Sequence, residues 1–174
     1  MPTELDDVPE LRPFLDGADH VDVKTVESTA TLREFVAAAI SWQPFWLKGL
    51  FAARAVFARL LRLNDPDVPA GAKLRPQDIP FTPGGKVHFF TVTEGAEDRY
   101  LVMEAADSHL TGYLAVVADP GAFRVATIVR YHRWTGPLYF NVIRPFHHLV
   151  VGRMASAGAR APHSPRPPRQ EVNA

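Results

Sequence analysis

Arg54 is the sharpest chemical signal in this chain of 174 residues. It recurs in register with Leu47, Leu50, Phe57 and Leu61, on the helical face that the spacing marks for burial. A guanidinium buried without a partner is very costly, so Arg54 needs an anion. Its bidentate fork would clamp a ligand carboxylate, enolate or phosphate. The competing reading is an internal ion pair with Glu104, Asp107 or Asp22. Asp107 and His109 share one face of a strand under the two-residue period, where a carboxylate orients an imidazole as general base. Against that, Asp107 also suits a turn and His109 a hydrogen-bonded structural role.

His147 and His148 are neighbours in a helical stretch and point about 100° apart, so at most one of them is aimed inward. His147, four residues after Ile143 and three before Val150, is the inward candidate. The alternative is a bond from His147 to a backbone carbonyl released by Pro145. Tyr113, Tyr131 and Tyr139 supply hydroxyl donors, and Trp46 and Phe90 supply aromatic wall, unless these rings are plain core. A catalytic set of Asp107, His109 and Tyr113 would pair with a binding set of Arg54, Trp46, Phe90, Tyr131, Tyr139 and His147. The seven histidines include no helical pair at i, i+4, and there is no cysteine. Neither a metal nor a cofactor is therefore expected, and no phosphate loop, nucleophile elbow or dinucleotide turn is present.

These residues need elements to hold them. His20–Glu27 alternates polar and apolar as a strand does, and Thr31 with Glu34 forms a capping-box pattern before a helix over Leu32–Ser41. Pro44 suits the first turn of a second helix, Phe45–Leu63, which Asn64-Asp65-Pro66 ends. A long connection over Asp65–Gly85, with a short extended piece near Ile79–Thr82, leads to four strands: Lys86–Thr93, Arg99–Ala105, His109–Ala118 and Phe123–Trp134. Short turn-like breaks between them imply an antiparallel meander. A closing helix runs from Pro137 to about Ala155, kinked or restarted at Pro145.

The order β-α-α-β-α, with four to six strands before the last helix, is that of a curved antiparallel sheet wrapped around a C-terminal helix. It resembles the helix-grip fold of the START, Bet v 1 and polyketide-cyclase superfamily. Within that group the chain is similar to an uncharacterised bacterial family. The similar segments are Ala18-Asp19-His20-Val21-Asp22, Pro44-Phe45-Trp46, Leu50-Phe51-Ala52-Ala53-Arg54, Asp107-Ser108-His109-Leu110, Gly136-Pro137-Leu138-Tyr139 and Pro145-Phe146-His147-His148-Leu149-Val150-Val151. The resemblance, over about residues 18–154, implies an α+β fold; charge and proline content set the single domain at residues 18–156, between an acidic arm (1–17) and a Pro/Arg tail (157–174) expected to be disordered. The resemblance also implies an internal cavity beneath the closing helix.

Composition narrows the function. Nineteen basic and nineteen acidic residues cancel, giving no overall pull towards nucleic acid or an anionic membrane. The acidic N-terminus is no signal sequence, and charged residues or Pro145 interrupt every apolar run, so no membrane contact and a cytoplasmic location are expected. The leading expectation is a monomer or homodimer that binds a small hydrophobic or acidic molecule. A cofactor-free cyclase, aromatase or isomerase, and a non-catalytic accessory module, are the alternatives.

Overall fold

The computed structural model describes residues 5–60 and 73–162, apart from the side chains of Arg54, Phe57 and Ala58. Six strands form one antiparallel sheet in the order β1-β6-β5-β4-β3-β2: β1 (His20–Glu27), β2 (Lys86–Val87), β3 (Phe90–Ala96), β4 (Tyr100–Ala106), β5 (Leu110–Asp119) and β6 (Ala122–Tyr131). The first strand thus closes against the last, while the others run as the expected meander. Among the described residues four α-helices accompany the sheet: α1 (Arg12–Leu15), α2 (Leu32–Ser41), α3 (Phe45–Leu60) and α4 (Thr135–Ala159).

Three sequence expectations need correction. The stretch read as one strand, Lys86–Thr93, is a tight hairpin, because His88 adopts φ 53° and turns the chain. No strand forms at Ile79–Thr82; a 3-10 turn, Pro76–Asp78, precedes it instead. The last helix starts at Thr135 and continues through Pro145 without a break. Pro145 and Asn141, whose carbonyl loses its helical donor, are both exposed, so water is able to replace the missing bond. The part of the second helix expected beyond Leu60 lies outside the described residues.

The α2 start follows the sequence pattern closely. Thr31 N–H donates to Glu34 Oε2 at 2.8 Å, and Glu34 N–H donates to Thr31 Oγ1 at 3.3 Å. Leu32, Phe35, Val36, Ala39 and Ile40 then form the buried stripe. Thr31→Ala is expected to lower stability by about 1 kcal/mol in urea denaturation, since the Glu34 N–H loses its side-chain acceptor at the first turn. An unchanged midpoint would show that tertiary packing alone holds the start of α2.

Both faces of the sheet are covered. On the inner face, α2 and α4 pack over Val92, Leu101, Met103, Leu114, Val116 and Val125. Two glycines let α4 approach closely: a Cβ on Gly136 would lie 2.7 Å from the His109 carbonyl oxygen, and one on Gly158 would lie 2.9 Å from that of Phe35. On the outer face, Leu5, Val8 and Leu11 are buried against Tyr100, Val102, Ala115, Val117 and Ala126. The acids of this leading segment meet Arg124 of β6 and Arg99 of the β3–β4 turn. Asp7 accepts from Arg124 at 2.6 and 2.7 Å, and Glu10 pairs with Arg99 at 3.0 Å. Arg130 also donates to the carbonyls of Pro13, Phe14 and Asp16. The acidic start of the sequence is therefore matched, in part, within the molecule.

Candidate functional site

Inward-facing polar side chains gather in two places along α4. The first lies at its beginning. Asp107 N–H donates to the Leu110 carbonyl at 2.9 Å, closing a tight turn between β4 and β5. That turn, rather than a shared strand face, brings Asp107 and His109 together, with Asp107 Oδ1 3.7 Å from His109 Nδ1. His109 is almost fully buried, and Tyr139 of α4 meets its ring edge-on at 4.7 Å. The pair belongs to a packed junction where the main chain also joins: His132 N–H donates to the His109 carbonyl at 2.9 Å.

The second place is a polar seam between β1 and the middle of α4. Register decides it. His20, Asp22 and Lys24 stand opposite Val129, Thr127 and Val125, and Val125 belongs to the inner core. The polar residues of β1 therefore point towards α4, while Val23 joins the outer cluster beneath the leading segment. His148 Nδ1 lies 3.1 Å from Asp22 Oδ2, and Lys24 Nζ lies 3.3 Å from the same oxygen. His147 Nε2 pairs with Thr127 Oγ1 at 3.2 Å. The His20 ring sits 4.9 Å from Phe140 and 6.0 Å from His148.

The electrostatics of the seam are uneven. Burial, reinforced by the neighbouring His148, pulls the His147 pKa down to about 4. Burial, then the charge on Arg144, also lowers the pKa of His20. Both rings are consequently neutral at neutral pH. His148, Asp22 and Lys24 keep 31%, 22% and 27% of their side-chain surface, so solvent reaches this end of the seam. It offers a cation, a carboxylate-oriented imidazole and two neutral imidazoles within one inward-facing strip.

The expected binding residues distribute unevenly around these two places. Tyr139 contacts His109, Tyr131 lies on the inner side with its ring 6.1 Å from Phe140, and His147 is in the seam. Phe90 is half-buried against the inner core, and Trp46 is partly exposed at the start of α3, its ring 5.7 Å from Trp42. Tyr113 is on the other side of the sheet, against Phe14 at 5.1 Å and beneath Arg130. It is separated from Asp107 and His109 because odd positions of β5 face outward with Ala115 and Val117. The Arg54 side chain lies outside the described set. His147 and His148 both turn towards the sheet, contrary to the expectation of one, because β1 and β6 each supply a partner.

The sequence alone does not mark His20, Asp22, Lys24, Thr127 and His148 as a site. A usable signal existed, since Ala18–Asp22 and Pro145–Val151 are two of the similar segments and the fold places them side by side. Among the described residues no cluster of three or more His, Asp or Glu side chains could hold a metal ion. An apolar cavity of about 10 Å³ lies between α2, α4 and the sheet, lined by Phe35, Ile40, Met103, Leu114, Val151 and Met154 among others. It has room for roughly one water.

The arrangement defines an α+β protein with a six-stranded antiparallel open sheet and a long C-terminal helix packed on one face. Residues 14–154 match the family described as Protein of unknown function (DUF2867), and the chain belongs to that family. No curated protein and no solved structure matches it. Among the described residues no helix is long and apolar enough to cross a membrane.

Proposed function

We propose that the sheet and α4 are a helix-grip arrangement and that the β1–α4 seam binds a small molecule with an acidic head and an apolar body. The strand order, with β1 closing against the last strand and the terminal helix lying across the inner face, supports the fold assignment. The inward polar face of β1 carries the binding reading. Nothing in the folding of a strand requires His20, Asp22 and Lys24 to face a helix, and burying them has a desolvation cost. In this reading Lys24 and His148 receive the acidic head, while Phe140 and Tyr131 flank the body. The 10 Å³ cavity is too small for an organic guest, so the molecule occupies the solvent-reaching side of the seam.

Titrating the full chain with fatty acids and aromatic carboxylic acids, while following the histidine ring resonances, tests this directly. Resonances of His20, His147 and His148 should move together on binding, and Lys24→Ala should weaken affinity about tenfold or more through a lost charged hydrogen bond. Resonances that stay fixed across the panel would rule the seam out as the binding place.

One observation favours a second reading, a cofactor-free isomerase or cyclase. Asp22 lies 3.1 Å from His148 Nδ1, which leaves His148 Nε2 as the base atom. His148 would take a proton from a carbon acid, Lys24 would hold the resulting enolate, and the proton would return at another carbon. Asp22→Asn should then abolish turnover while retaining binding, whereas a pure binder has no turnover to lose.

A further inference from the structure

We propose that α3 is a docking element for an anionic lipid bilayer surface, a role independent of the seam. Phe45, Trp46, Val56 and Leu60 of α3 are 88%, 37%, 57% and 76% exposed. At 3.6 residues per turn they occupy one arc of about 100°. These four large apolar side chains stand in two groups on one exposed arc, joined by the small exposed residues Gly49, Ala52 and Ala53, which is more than the scattered exposure normal for a surface. Lys48 and Arg59, both exposed, border that arc. Residues 45–60 include no acidic residue, and neither does any position between Glu34 and Asp65. Aromatic and aliphatic side chains beside a cationic flank are the composition of a helix lying in a lipid interface.

The neighbouring hairpin adds to the stripe. Gln43 Nε2 is 3.3 Å from His88 Nδ1, which sets the β2–β3 turn beside the start of α3. Phe89 of that turn is 40% exposed. A second copy of the chain is the poorer occupant. Pairing α3 with α3 would bring Lys48 and Arg59 against their own counterparts with no acid in either helix, and like charges brought together are unfavourable. The exposed stripe of α4, which includes Leu138, Val142 and Phe146, is no better a partner for α3. Residues 135–159 also lack any acid and carry Arg144 and Arg153. Anionic headgroups supply the missing charge. This proposal replaces the expectation of no membrane contact with surface attachment and involves no span.

Co-sedimentation of the full chain tests it, using phosphatidylcholine vesicles and phosphatidylcholine vesicles containing phosphatidylglycerol. Binding should require phosphatidylglycerol, decline at raised salt and shift tryptophan emission to the blue. Lys48→Gln combined with Arg59→Gln should weaken it about thirtyfold, from the attraction lost at two basic positions. Phe45→Ser with Leu60→Ser should remove the emission shift, and the circular dichroism of both variants should match that of the parent. Equal binding to the two vesicle types, no binding to either, or variants that bind as the parent does would each overturn the proposal. So would a self-associated chain, measured by light scattering, that Phe45→Ser with Leu60→Ser dissociates without vesicles being bound.

Discussion

Phe35→Ala is expected to lower the stability of this protein by about 3–5 kcal/mol, a large part of what holds a domain of this size together. Phe35 has no exposed surface, and its ring stacks on Phe123 of β6 with centroids 4.2 Å apart. It also lines the small apolar cavity between α2, α4 and the sheet, so truncation enlarges an existing gap. Relaxation is restricted, because the Phe35 carbonyl and ring edge also meet Gly158 of α4. The residue therefore joins three elements, and removing its ring loses contact with all of them. Equilibrium urea denaturation measures the effect. A loss below about 1 kcal/mol would mean that α2 contributes little to the core.

The second large effect is acid sensitivity through His147. The unfolded chain takes up a proton on this residue near 6.5, and the folded chain only near 4. Between those values the unfolded state binds more protons, so stability falls as pH drops through the window and levels off below it. The contribution is full above 6.5, and its total, set by the fall to about 4, is on the order of 3 kcal/mol. Burial is the principal cause. His148, His20 and Lys24 act in the same direction, and Asp22 opposes them. His147→Gln keeps a polar partner for Thr127 and should flatten stability against pH across that interval. A variant with the parent's pH slope would locate the acid sensitivity elsewhere.

Much of this fold is legible in the residues. Thr31 and Glu34 announce the start of α2, Pro44 the start of α3, and the turn-forming stretches Glu94–Asp98, Ala106–Ser108 and Asp119–Ala122 the meander. The hairpin at His88-Phe89 is not legible, because this pair is none of the Asn-Gly, Asp-Gly or Gly-X pairs that mark a two-residue hairpin. The seam was half legible. Alternation in His20–Glu27 identifies two strand faces but does not say which face meets the core. That depends on Leu5, Val8 and Leu11, which cover the outer side and thereby allow the polar side to look inward. Tyr113 was misplaced with Asp107 and His109 for a related reason, since nearness in sequence does not decide the face of β5.

Gly136 and Gly158, near the two ends of α4, fix where the helix meets the rest of the molecule. One sits against the turn ahead of β5 and the other against α2, and each approach is made to main-chain atoms. The distance across which His147 and His148 reach β6 and β1 is therefore set, like a gauge block, by these end contacts as well as by the side chains between them. Under the proposed binding function, exchanging side chains along this strip should alter which guest fits while the two end contacts keep the frame nearly constant.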